Sequence, residues 1–329
     1  MINVIQLDTS LLGPQELERE QVLHAQDFGQ PEASYEHKIR TVTGEACKAA
    51  ENRGLKSLLL PVINSRSQEI SSAAAARVMV SEVRRHLSLG SGIEEVTFAL
   101  PDEKGVQAFR KAAGRQKIVC LGDSITYGYP DGPQFSWVTA VAEATGYPFI
   151  NRGISGETTG QMLARFDQDV VNEEPAYVIF AGGHNDGWMG VSLEEVQENI
   201  LNVVKQSFNS GICPILVLPS PLNIEQMLQH YEGTRQEADL YFTKLEQTRQ
   251  WIRQYANGRG LLTLDFHTPL LAGNSHQGDP QYLLDGGHPT HEGYRILGDA
   301  VIKQLAGRLH FTKRVPALGK PESSGESAK

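Results

Sequence analysis

Cysteine is scarce in this chain. Three residues, Cys47, Cys120 and Cys213, are spread over 329 positions. A small odd number excludes a fully paired disulfide framework. Two of the three sit in apolar strand-like runs, where a small buried thiol is expected. A reduced, cytoplasmic setting is the expectation that follows. Basic charge is also short: 30 Lys and Arg stand against 39 Asp and Glu, a net charge of −9. Nucleic acid is therefore not an expected partner, because phosphate binding needs a basic face. No apolar run approaches the length of a membrane span, so no integral membrane association is expected. The opening residues, Met1 to Asp8, lack the basic segment and long apolar core of a secretion signal. Cys/His clusters at metal-ligand spacing are missing too, so a metal is not expected.

What is present is an alternation of β and α patterns. Candidate strands are Ser57–Ile63, Ile93–Leu100, Lys117–Leu121, Pro148–Asn151, Tyr177–Ala181, Pro214–Leu218 and Leu261–Leu264. Stretches of helical length separate them. In Ile70–Leu87, Ala76, Val80, Val83 and Leu87 fall on one face. Ser192–Ser207 opens with Ser192 and has Glu195 three positions on, the pattern of a capping box. Near-continuously apolar strands between helices predict an α/β fold with a mostly parallel sheet covered on both faces. The chain divides near Gly114. Residues 1–114 supply two or three β-α units, residues 115–310 a complete five-strand alternation, and residues 311–329 a polar tail expected to be disordered. The link Phe109–Gln116 is short and basic, which predicts that the two parts pack together.

Four blocks carry chemistry. The run Ile118–Leu121 leads into Gly122-Asp123-Ser124, which places a serine at the carboxyl edge of a parallel sheet, where α/β proteins bind ligands. Taken alone, Asp123 and Ser124 read equally as caps of the next helix. Asn151-Arg152-Gly153-Ile154-Ser155-Gly156 follows the next strand and offers a glycine that a substrate can approach closely. Gly182-Gly183-His184-Asn185-Asp186 follows the third, with a side-chain amide donor in Asn185. Near the C-terminus, Asp285-Gly286-Gly287-His288-Pro289 puts an acid and an imidazole three positions apart. Such an acid can hold Nδ1 of the ring and fix its tautomer. An isolated D-x-x-H is as often a cap or an ion pair.

These four blocks, in this order, resemble the SGNH (GDSL-type) hydrolases over roughly Lys117 to Leu309. The resemblance implies a flavodoxin-like three-layer sandwich around a central parallel sheet. It also implies a serine esterase acting on a small or modest acyl ester through an acyl-enzyme, chemistry that calls for no organic cofactor. Carried over by position, it makes Ser124 the nucleophile, His288 the base and Asp285 its orienting acid. The N–H groups of Ser124 and Gly153 and the side chain of Asn185 become the oxyanion donors. Many relatives have a small residue where His184 stands, and His184 is expected either at the rim, as a variable position, or lining the acyl or leaving-group site. Tyr127, Tyr129, Trp188, Pro221 and Met227 are candidates for an apolar wall. The same triad would serve a thioesterase, a lysophospholipase or an acyltransferase. A homo-oligomer is compatible with everything above.

The first part of the chain resembles, more weakly, the C-terminal half of a macro domain over Ala46–Ala113. That family has a glycine-rich phosphate loop where this chain reads Val62-Ile63-Asn64-Ser65-Arg66-Ser67-Gln68-Glu69, without a glycine. The expectation is a smaller α/β unit with a structural, regulatory or dimerising role. An ADP-ribose-type binding module carrying a secondary hydrolase is the alternative.

Overall fold

A computed structural model describes residues 1–6, 34–63 and 70–312. Both the glycine-free stretch at 64–69 and the tail from residue 313 lie outside them. In chain order the elements are β1 (Ile2–Gln6), α1 (Tyr35–Asn52), β2 (Ser57–Pro61), α2 (Ser72–Ser88), β3 (Glu95–Leu100) and α3 (Glu103–Ala113). Then come β4 (Ile118–Gly122), α4 (Ser124–Tyr127), α5 (Trp137–Thr145), β5 (Phe149–Gly153), α6 (Thr159–Ala164) and α7 (Phe166–Asp169). The chain continues through β6 (Tyr177–Ala181), α8 (His184–Met189), α9 (Leu193–Asn209), β7 (Cys213–Leu218), α10 (Ile224–His230), α11 (Arg235–Arg259), β8 (Thr263–Asp265) and α12 (His291–Leu305).

The larger sheet has five parallel strands in the order β5-β4-β6-β7-β8. Alternate residues of its strands face opposite layers, as the pleat requires. Ile118, Cys120, Ile179 and Ile215 point to one side, against Trp137 and Val141 of α5 and Leu297 and Val301 of α12. Val119, Leu121, Val178 and Phe180 point to the other, against Phe166 of α7, Ile200 and Val203 of α9 and Ile252 of α11. Burial on both faces explains why the strands read as unbroken apolar runs, and it makes the three-layer sandwich. Ser192 caps α9 as the sequence suggests, its Oγ accepting from the Glu195 N–H at 3.1 Å. All three cysteines are buried and unpaired, and burial pushes the thiols of Cys47 and Cys213 up to about 12.

The N-terminal part has its own parallel sheet, β1-β3-β2, and its own core. The strand β1 was not anticipated from the sequence. It pairs with β3 from Ile2 opposite Val96 to Gln6 opposite Leu100. Arginines join the two parts by reaching carbonyls at and beyond helix ends. Arg40 donates to the Phe208 carbonyl at 3.0 Å, at the end of α9, and lies over the Phe208 ring. Arg85 donates to the Gly260 carbonyl at 2.6 Å, just past α11. The fully buried Arg84 donates to the carbonyls of Ala112, Ala113, Arg115 and His310 at 3.3, 2.7, 3.0 and 3.2 Å. Removing that side chain leaves buried acceptors unsatisfied. Arg84→Ala is therefore expected to lower unfolding stability by about 3 kcal/mol, read by urea titration. A loss within about 0.5 kcal/mol would show the arginine to be dispensable.

Candidate active site

The carboxyl ends of β4, β5 and β6 gather the first three blocks, and the segment before α12 brings in the fourth. The buried carboxylate of Asp123 accepts from the Ile125 N–H at 2.9 Å and caps the short helix α4. Burial pushes its pKa up to about 6. Capping therefore falls to Asp123, and the hydroxyl of Ser124 is left for another partner. That partner is His288, with Oγ 2.9 Å from Nε2. On the other side of the ring, Nδ1 lies 2.7 Å from Asp285 Oδ2. Asp285 Oδ1 accepts the backbone N–H groups of Gly287 and His288 at 3.0 and 2.9 Å. Its other oxygen also accepts the Tyr231 hydroxyl at 2.5 Å. Burial works to raise this carboxyl, but the hydrogen bonds from the His288 side chain and backbone and from Tyr231 outweigh it. Together they hold its pKa far below the usual carboxylate range.

Asn185 and Asp186 open α8. The Asp186 carboxylate accepts from the Thr159 N–H and hydroxyl, the latter at 2.6 Å, and so ties α8 to the start of α6. Burial raises its pKa. Asn185 donates one Nδ2 hydrogen to the Glu157 carbonyl at 2.9 Å. The second hydrogen of that amide has no partner among the described residues.

Gly153 requires a correction. Its N–H is donated to Asn151 Oδ1 at 2.9 Å, so it is not a free donor for an oxyanion. The Asn151 side-chain amide in turn donates to the Thr126 carbonyl at 2.7 Å. A Cβ at position 153 would lie 2.1 Å from the Tyr127 backbone nitrogen. The glycine is there so that β5 can approach α4, a packing demand rather than a catalytic one. In the same block, Gly156 has a φ of +85° and open space where a Cβ would stand. Its N–H has no hydrogen-bond partner among the described residues.

Of the two places expected for His184, the structure shows the lining of the site. The side chain is buried in the wall rather than at the rim. Nδ1 lies 2.9 Å from the Tyr241 hydroxyl and Nε2 2.9 Å from Ser220 Oγ. Burial, with the Arg249 guanidinium nearby, lowers its pKa to about 3. The ring is a neutral structural piece with both nitrogens engaged. A cavity of about 160 Å³ opens over Ser124 and His288, walled by His184, Leu222, Met227 and Tyr241. Of the residues proposed for an apolar wall, Trp188 and Met227 line it. Tyr129 instead packs on the His288 ring at 4.5 Å between centroids. A second cavity of about 330 Å³ adjoins the first and shares Trp188, Met227, Tyr231 and Tyr241 with it. The roles of Tyr231, Ser220 and Tyr241 were invisible to sequence reasoning, since no local spacing links them to the four blocks. No group of His, Cys, Asp and Glu among the described residues is arranged to hold a metal ion. No helix among them is long and apolar enough to cross a membrane.

A hydroxyl, an imidazole and a carboxylate in hydrogen-bonded sequence at the carboxyl edge of a parallel sheet suit nucleophilic acyl transfer. The fold and this arrangement are those of an α/β ester hydrolase. Comparison with known proteins agrees: the chain belongs to the GDSL-like lipase/acylhydrolase family, whose model matches residues 120–296. It is 29% identical over 203 residues to the uncharacterized lipoprotein YqeF of Bacillus subtilis (strain 168), covering 57% of this chain and 81% of that one. It is 24% identical over 214 residues to an acetylxylan esterase of Geobacillus stearothermophilus, covering 59% of this chain and 96% of the esterase. Among solved structures, it is similar to a GDSL-like lipase from Bacteroides thetaiotaomicron VPI-5482, with a TM-score of 0.50 and 27% identity. That match covers 61% of this chain and 91% of the lipase. The family match begins at Cys120 and leaves the N-terminal sheet outside it.

Proposed function

We propose that the chain hydrolyses carboxylic esters of short acyl groups through an acyl-enzyme on Ser124. The observation that carries this reading is the unbroken relay Ser124–His288–Asp285, at 2.9 and 2.7 Å, at the floor of a small cavity. His288 Nε2 takes the hydroxyl proton as Oγ attacks the ester carbonyl. The same imidazolium then protonates the departing alkoxide. In the second half, His288 deprotonates water, which attacks the acyl carbon and releases Ser124. Asp285 keeps Nδ1 protonated and stabilises the imidazolium in both halves.

Charge on the tetrahedral oxygen needs donors that are not already committed. The Ser124 N–H qualifies, because the first residue of a helix has no intrahelical acceptor. So does the second Nδ2 hydrogen of Asn185. The third donor passes from Gly153 to Gly156, whose unpartnered N–H sits one residue before the Glu157 carbonyl that anchors Asn185. No metal or organic cofactor enters these steps.

A volume of about 160 Å³, walled by Leu222, Met227 and Tyr241, favours a short acyl group. The adjoining cavity supports the second reading, a lysophospholipase or thioesterase that accommodates a longer chain there. A series of p-nitrophenyl esters from acetate to palmitate separates the two. The short-acyl reading predicts that kcat/KM peaks between acetate and butyrate and falls by about tenfold or more for palmitate. A maximum at decanoate or longer would replace it with the second.

A further inference from the structure

Asp285 Oδ2 serves two donors. One is His288 Nδ1 at 2.7 Å, and the other is the hydroxyl of Tyr231 at 2.5 Å. Tyr231 comes from a different part of the chain, 54 residues before the acid. It ends α10, where its N–H is still bonded to the Met227 carbonyl at 2.9 Å. Its ring lies 5.6 Å from that of Trp188, and the side chain forms part of the wall between the two cavities. Among the described residues, only this hydroxyl bonds the carboxylate from outside the block Asp285–His288.

We infer that Tyr231 is a positioning residue of the reaction: its hydroxyl locks the Asp285 carboxylate in the orientation that serves His288 and moderates the charge His288 meets. The inference rests on the triad reading above. Two effects follow from one bond. Backbone N–H groups hold Oδ1, and without Tyr231 only the His288 imidazole would hold Oδ2. A carboxylate oxygen held by one donor instead of two is less firmly oriented, and the relay loosens. Separately, an O–H donor on Oδ2 draws charge from the oxygen that faces Nδ1. Removing it strengthens the attraction of Asp285 for an imidazolium, so the protonated ring persists to higher pH.

Other groups facing the pair stay in place when the hydroxyl is removed. They are Asp123 beside α4, the neutral His184 of α8, Tyr129 over the ring, Tyr241 of α11 and Tyr294 of α12. The Arg249 cation lies behind His184.

The test compares wild type, Tyr231→Phe and Tyr231→Ala, following both ester hydrolysis and the rate of fluorophosphonate labelling of Ser124 across pH. Phenylalanine keeps the ring and the cavity wall and removes only the hydroxyl. The expected result for Tyr231→Phe is a fall in kcat of about fivefold with little change in KM. The acid limbs of both profiles move up by about half a pH unit. Tyr231→Ala shows the same displacement of the acid limb and a raised KM, because the wall is lost as well. A Tyr231→Phe profile superimposable on wild type, or one in which only KM moves, would reduce Tyr231 to a wall residue and overturn the inference while leaving the triad reading intact. A wild-type protein that neither turns over esters nor labels at Ser124 would overturn both, since no working acid would remain to be positioned.

Discussion

Ser124→Ala is expected to lower ester hydrolysis by about four orders of magnitude or more, because the relay acts as a unit and loses its nucleophile. The variant should fold normally. Ser124 Oγ is bonded to His288, while the cap of α4 belongs to Asp123. A melting temperature within a degree or two of wild type, with hydrolysis near background, is the predicted pair of readings. Hydrolysis at more than about one-tenth of the wild-type rate would mean that the chemistry lies elsewhere.

Asp285→Asn is expected to cost about 10³- to 10⁴-fold in kcat with the fold intact. The reasoning is one of donors and acceptors. Asparagine can still accept the N–H groups of Gly287 and His288 on its oxygen, so the turn survives. Its amide nitrogen then faces both Nδ1 of His288 and the Tyr231 hydroxyl, where the native oxygen accepts from both. An amide N–H pointed at Nδ1 selects the tautomer protonated on Nε2, and that tautomer cannot take the Ser124 proton. The structure thus predicts an effect larger than loss of charge alone would give. A loss below about tenfold would show that the acid is not needed to set the tautomer.

Much of the architecture could be read from the chain. The runs at Tyr177–Ala181 and Pro214–Leu218 are apolar without interruption because both faces of the sheet are covered, and they were placed within one residue of the observed strands. β1 escaped because five residues, Ile2–Gln6, carry little periodicity of their own. They become a strand through pairing with residues more than ninety positions away. β8 was placed early, at Leu261–Leu264, because Leu261 and Leu262 are apolar. The paired residues are Thr263 to Asp265.

Within the site, the blocks Gly122–Ser124 and Asp285–His288 were legible because each is compact in sequence, the first ending β4 and the second lying just before α12. The residues 151–156 contain two glycines, and local sequence does not say which one serves packing. The answer depends on a contact between β5 and the Tyr127 nitrogen, a fact of three dimensions. Local sequence left His184 either at the rim or in the lining of the site. The hydroxyls that draw it inward, on Ser220 and Tyr241, come from distant elements. Tyr231 has the same history, since its bond to Asp285 joins α10 to the last block.

The most direct test of the central claim is labelling of the intact protein with a fluorophosphonate, followed by peptide mapping. The account predicts a single adduct on Ser124, formed in the native wild type and absent from Ser124→Ala and His288→Ala. Equal labelling of the His288→Ala variant, or no adduct on Ser124 in a wild type that still hydrolyses esters, would contradict it.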